Sequence, residues 1–147
     1  HTLPRFRGQQ FRRAQGFGPE ALAQLTRLYW YTEEFGLIDT EHGLRIYGAG
    51  ILSSKGECDY SLNSPAPNRI GFDLQRVMST RYRIDTYQKT YFVIDSFQQL
   101  FEATFADFAP VYGQLTERVA VPAGDVLASD TVFTRGTGEG WLTGGDV

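Results

Sequence analysis

The sequence predicts an α+β domain, mostly helical, with small strand pairs. Apolar residues recur at helical spacing over residues 19–35. A second apolar helical face follows the capping-box pattern Ser96-x-x-Gln99. Between them lie a hairpin pattern at residues 37–47 and the β-branched, aromatic run Tyr91-Phe-Val-Ile94. A length of 147 residues suits one domain.

Residues 1–18 show no clean period and read as irregular. They hold Arg5, Arg7, Arg12 and Arg13 and no acid, so they form a basic leader. Either the leader is an arm that binds an anion, or it is the loose end of a cut domain. Pro19 and Glu20 suit a first helical turn, and Leu22, Leu25, Leu28 and Tyr29 continue the face to Gly36. Leu37-Ile38 and Leu44–Tyr47 flank a turn at residues 39–43. Residues 52–62 read as a helix, 64–68 as a loop, and Asp73 as the cap of a short helix to Met78. From Ser96 a helix carries Phe97, Leu100, Phe101, Thr104, Phe105 and Phe108 on one broad face, with a kink expected at Pro110. The tail, residues 122–147, holds many glycines and few large apolar residues and reads as loose. The main body is then residues 19–121.

Aromatic residues make up 14% of the chain, enough rings to build a core, which excludes global disorder. No apolar run approaches the roughly twenty residues of a membrane helix. A net charge of −3 argues against a general nucleic-acid surface. One cysteine, Cys58, allows no internal disulfide and fits a reducing cytoplasm. No heptad pattern is present, which favours a monomer. The first residue is His rather than Met, so the chain is expected to be processed, excised or truncated.

On an α-helical wheel, Thr26, Trp30 and Glu34 share a stripe outside the apolar arc. That stripe is either an aromatic wall beside a carboxylate or simply exposed surface. Glu33 lies nearer the apolar arc, so amphipathicity alone selects it as the inward carboxylate. Gly48-Ala-Gly50 followed by Ser53 and Ser54 reads equally as a close approach to a ligand or as a tight turn before a Ser-capped helix. His42 falls in the hairpin turn and reads as solvated. Cys58 reads as a small packing residue. Residues 136–140 are glycine-rich but lack the flanking strand and helix of a phosphate loop. Arg81, Arg83 and Lys89 form a basic cluster that Asp73 and Asp85 can neutralise.

Four segments together resemble the pterin-dependent aromatic amino-acid hydroxylases. They are Arg27-Leu-Tyr-Trp-Tyr-Thr-Glu-Glu-Phe-Gly-Leu37, Gly43-Leu-Arg-Ile-Tyr-Gly-Ala-Gly-Ile-Leu-Ser-Ser-Lys-Gly-Glu57, Tyr82-Arg-Ile-Asp85 and Gln88-Lys-Thr-Tyr-Phe-Val-Ile-Asp-Ser-Phe97. The resemblance is closest to the bacterial phenylalanine 4-hydroxylases. It implies an iron(II) site with two histidines and one carboxylate, a tetrahydropterin as reductant, and L-phenylalanine and O2 as substrates. It assigns Glu34 as the carboxylate ligand, Tyr29 to a place near the iron, and Trp30 to packing on the substrate ring. It assigns Gly50 and Ser53 to the amino-acid carboxylate, and Tyr91 to the substrate path. The family's His-Asp/Glu-x-x-Gly-His motif is absent, with His1 the one candidate for its last residue. The resemblance therefore implies a hydroxylase catalytic domain incomplete at its N-terminus, behind a divergent leader. A catalytically dead or binding-only relative, lacking the two-histidine site, is the alternative.

Overall fold

The computed structural model describes residues 2–105, 107–115 and 119–147; His1 lies outside the described residues. Residues 2–15, expected to be irregular, form helix α1 (Thr2–Gln15). Ala14 is fully buried, Phe11 packs on the same core and the buried Gln10 Nε2 donates to the Thr104 carbonyl at 2.7 Å, so a few contacts anchor a helix with little apolar periodicity. Helix α2 (Pro19–Tyr29) starts on Pro19 as expected. Its continuation to Glu34 is not α-helical. Residues Trp30–Glu34 make a π-helical turn, closed by the Phe35 N–H donating to the Trp30 carbonyl at 2.9 Å. Such turns fit one extra residue into a helix and recur at functional sites.

The hairpin forms as read: β1 (Leu37–Thr40) and β2 (Gly43–Ile46) pair antiparallel, with Gly43 at φ 101° supplying the turn. The single helix expected over residues 52–62 is instead two, α3 (Ala49–Leu52) and α4 (Lys55–Asn63), because Ser54 caps the second by accepting from the Glu57 N–H. Strand β3 (Asn68–Gly71) follows, then α5 (Leu74–Met78), capped by Asp73 as expected, and β4 (Thr90–Ile94). Ser96 caps α6 (Phe97–Thr104), and Gln99 Oε1 accepts from the Asp95 N–H at 2.8 Å. The helix stops there. Pro110 lies in the first turn of a separate helix, α7 (Ala109–Leu115), where its missing N–H costs nothing. The tail adds β5 (Val132–Thr134).

The sheet order is β2-β1-β4-β3-β5, with parallel pairs at β1/β4 and β3/β4 and antiparallel pairs at both edges. Strand β4 is central and buried along its whole length, which explains its uninterrupted apolar sequence. Alternate residues face opposite ways. Phe92 joins Leu25, Leu28, Tyr31, Val77, Met78 and Tyr112 on one side of the sheet. Tyr91 and Val93 join Leu37 and Ile51 on the other. Helices therefore cover both faces. No helix of the described residues is long and apolar enough to cross a membrane.

The tail is not loose. Asp130 pairs with the buried Arg76 guanidinium through two contacts, of 2.9 and 3.2 Å. Trp141 lies over Gly124 and Gly138, where a Cβ would crowd its ring, with Lys89 above it and its N–H on Tyr60. Val147 and Tyr82 exchange two backbone hydrogen bonds, of 2.8 and 3.2 Å.

Candidate active site

The π-helical turn sets the site. It carries Trp30 at its start and Glu34 at its end, four residues apart and so neighbours on a helical surface. Trp30 is half-buried. Its ring lies 4.5 Å from Tyr82, stacked at 22°, and 4.7 Å from Phe35. Its N–H donates to Gln88 Oε1 at 3.2 Å. The indole is thus fixed by two rings and one hydrogen bond.

The two carboxylates separate cleanly. Glu33 pairs with Arg7 of α1 at an exposed position. Glu34 is exposed and makes no hydrogen bond or ion pair among the described residues. The α-helical wheel favours Glu33, but it assumes a regular helix through residues that wind as a π turn.

Glycines bring the next segment onto this turn. A Cβ on Gly48 would strike the Glu34 carbonyl and Gly36 N, and one on Gly50 would meet the Phe35 ring and the same carbonyl. Gly50 therefore lies directly behind Glu34, and Ser53 Oγ donates to the Gly50 carbonyl at 2.9 Å. The tight turn before a Ser-capped helix, one of the two alternatives read from this stretch, is what forms, with the glycines packed on the backbone of Glu34.

Tyr91 and Tyr29 sit elsewhere. Tyr91 is fully buried, and its hydroxyl donates to Glu57 Oε2 at 2.6 Å. Glu57 also accepts from the Gln88 N–H at 3.2 Å. Burial pushes the Glu57 carboxyl above its ordinary value, against the pull of these two donors. Burial and the Glu57 charge push the Tyr91 hydroxyl up, so it remains a donor. Tyr91 thus reaches Trp30 through Glu57 and Gln88. Tyr29 faces α1: its ring stacks on Phe11 at 5.5 Å, Arg7 lies over it, and its hydroxyl donates to Gln10 Oε1. Burial and the nearby Glu33 raise its pKa. The described contacts do not bring it to Glu34.

Sequence reading missed Gln88, Tyr82 and Glu57 as site residues. All three lie within or at the ends of the four segments that carry the family resemblance, which was the available signal. Cys58 is partly buried and donates weakly to the Ile51 carbonyl at 3.3 Å, a packing role. His42 is exposed in the hairpin turn, as expected.

The iron site implied by the resemblance needs three donor side chains, of which Glu34 would be one. Among the described residues, no group of three His, Cys, Asp or Glu side chains could hold a metal ion. The described residues therefore do not fit an iron site by themselves.

A mixed sheet covered by helices on both faces thus carries, on one π turn, a half-buried indole and an exposed carboxylate without a side-chain partner among the described residues. The chain belongs to the biopterin-dependent aromatic amino acid hydroxylase family, which it matches over residues 9–117. The match begins inside α1, in the stretch where sequence reading found no family motif. The chain is 63% identical over 127 residues to phenylalanine-4-hydroxylase of Chromobacterium violaceum, covering 86% of this chain and 43% of that one. It is 62% identical to the phenylalanine-4-hydroxylase of Ralstonia nicotianae, covering 41% of it. The iron- and phenylalanine-bound crystal structure of the Chromobacterium violaceum enzyme superposes with a TM-score of 0.83 at 61% identity, covering 86% of this chain and 46% of that one. The chain thus spans less than half the length of these relatives.

Proposed function

We propose that this chain is the C-terminal part of the catalytic domain of a phenylalanine 4-monooxygenase, which converts L-phenylalanine to tyrosine with O2. One observation carries the reading: Trp30 is clamped by Tyr82, Phe35 and Gln88 one helical turn from the unpaired Glu34. The high identity to relatives named phenylalanine-4-hydroxylase supports it.

In this reading Trp30 packs on the substrate ring, and Glu34 supplies one iron ligand. Gly50 and Ser53 lie toward the amino-acid carboxylate; the place of Tyr29 near the iron rests on the family resemblance alone, since its ring stacks on Phe11 of α1. Tyr91 acts from beneath, holding Glu57 so that Glu57 orients Gln88. Ferrous iron and a tetrahydropterin supply the oxidising chemistry when bound; the remaining ligands come from outside the described residues. The working protein is cytoplasmic and monomeric, with neither nucleic acid nor membrane as a partner.

The test compares two proteins. The 147-residue chain, given ferrous iron, tetrahydropterin, O2 and L-phenylalanine, is expected to make no tyrosine. The same chain joined to an upstream segment with the two-histidine motif is expected to hydroxylate phenylalanine. In that longer protein, Glu34→Gln should remove most bound iron and Glu33→Gln should retain it, since loss of a ligand exceeds the ten- to hundredfold typical of an outer-shell change. The opposite result would shift the ligand assignment by one residue. Iron and phenylalanine binding without turnover would establish the binding-only alternative instead.

A further inference from the structure

We propose that Asp146 and Val147 are positioning residues for Trp30, acting through the loop at residues 80–88. The inference rests on the proposed role of Trp30 at the substrate ring.

Several contacts tie the tail to this loop, among them Arg81 Nη2 donating to the Asp146 carbonyl at 3.3 Å. Asp146 Oδ1 lies 3.4 Å from Arg83 Nη1 and 3.4 Å from Lys89 Nζ, while its Oδ2 accepts from the Ala123 N–H at 2.8 Å. Arg83 Nη1 also donates to the Gly144 carbonyl. Val147 pairs with the Tyr82 backbone in both directions, at 2.8 and 3.2 Å. The approach is close: Gly145 adopts φ 82°, and a Cβ there would press on the Arg83 guanidinium. Only glycine satisfies both conditions without strain.

The loop then passes this constraint to the indole by two routes. Tyr82, held at its backbone by Val147, stacks on Trp30. Arg83, held at its side chain by Asp146, is held at its backbone by Gln88: the Arg83 N–H donates to Gln88 Oε1 at 3.2 Å, and Gln88 Nε2 donates to the Arg83 carbonyl at 2.8 Å. The same Gln88 Oε1 accepts from Trp30. One amide oxygen therefore joins the clamped loop to the indole. The Arg83 side chain is 2% exposed, so its charge depends on Asp146 and on Asp85, whose own side chain is 69% exposed. A buried cation deprived of its less exposed partner is strongly destabilised in place. Release of Asp146 should therefore move the loop rather than leave it unchanged.

The experiment uses the 147-residue chain carrying Trp141→Phe, so that Trp30 is the sole indole. Acrylamide quenching and the emission maximum report its exposure, and circular dichroism reports folding. Asp146→Asn should raise the quenching constant about twofold or more through local opening, with helical content retained. Asp146→Glu should restore most of the protection. Asp39→Asn, at an exposed strand position, should change nothing. If Asp146→Asn unfolds the chain, deletion of Val147, which removes the pairing with Tyr82 and moves the terminal carboxylate to Asp146 while keeping the Asp146 side chain, provides the second reading. Unchanged Trp30 quenching in a folded Asp146→Asn or Val147-deleted chain would overturn the proposal and make the tail a clasp without influence on the site. Calorimetry with L-phenylalanine is run separately. Absence of binding by the chain joined to the upstream segment would count against the substrate reading alone, because the quenching result does not depend on a ligand.

Discussion

Helix α6 and the tail from residue 122 reverse the usual relation between apolar content and burial. Helix α6 has Phe97, Leu100 and Phe101 among its eight residues, yet none of the eight is buried; Phe97 is 49% and Phe101 43% exposed. The tail has little apolar surface, yet it places Ala123, Asp130 and Asp146 among buried partners. The difference lies in what each meets. The tail carries counter-charges for two buried guanidiniums, Arg76 and Arg83, that the rest of the fold places in low-dielectric surroundings. Leaving either guanidinium unpaired would be strongly destabilising, so these contacts favour the ordered tail alongside the packing of Ala123 and Trp141. Helix α6 is held at its ends, by Phe97 edge-on to Tyr47 at 5.4 Å and by the Thr104 carbonyl accepting from Gln10 Nε2 at 2.7 Å, and its rings remain partly exposed.

The largest test of this contrast is removal of residues 136–147. It deprives Arg83 of Asp146 and uncovers Gly124, so chemical denaturation should show a loss of about 3 kcal/mol or more, the scale for breaking a buried pair. A loss below about 1 kcal/mol would mean that the tail merely rests on the fold. An intermediate effect is expected from pH. Burial pushes Asp146 up, but the Ala123 N–H, Lys89 and Arg83 outweigh it and hold the carboxyl below its ordinary value of 3.8. A lowered folded pKa contributes stability that is present above the ordinary value and lost as pH falls through the folded one. The stability gap between wild type and Asp146→Asn should therefore be constant from pH 5 to 7 and close below about pH 4. A gap that persists in acid would show that the amide loses shape complementarity rather than charge. The smallest effect belongs to α6. Phe101→Gln removes a ring that stacks on Phe105 at 6.0 Å but leaves no cavity, so the melting temperature should shift by the equivalent of less than about 1 kcal/mol. A larger loss would reveal packing of this face in solution.

The parts legible in the sequence are those whose cause is local. The Asp73 and Ser96 caps, the Gly43 hairpin and the apolar run of β4 each announce themselves within a few residues. Strand β3 does not, because Asn68-Arg-Ile-Gly71 has one aliphatic residue. Its burial depends on Arg69 donating to the carbonyls of Tyr60, Ser61 and Ser64, contacts with no sequence period. The tail escapes notice for the same reason. The family motifs pointed to Glu34 and Trp30, and the structure puts both on one turn. The helical wheel failed at Glu33 because periodicity presumes the regular helix that the π turn interrupts.

That turn also makes the domain sensitive to length rather than to chemistry. A π turn holds one residue more than the α-helix around it, so a single deletion within residues 30–34 would let ordinary i→i−4 bonding close across the gap. The helix would become more regular and its hydrogen bonds no fewer. Residues 30–34 would nevertheless change their angular positions around the helix, and the alignment of Trp30 with Glu34 would be lost. A change invisible to helix propensity would thus dismantle the site, while a substitution at the exposed Glu33 would leave its frame standing.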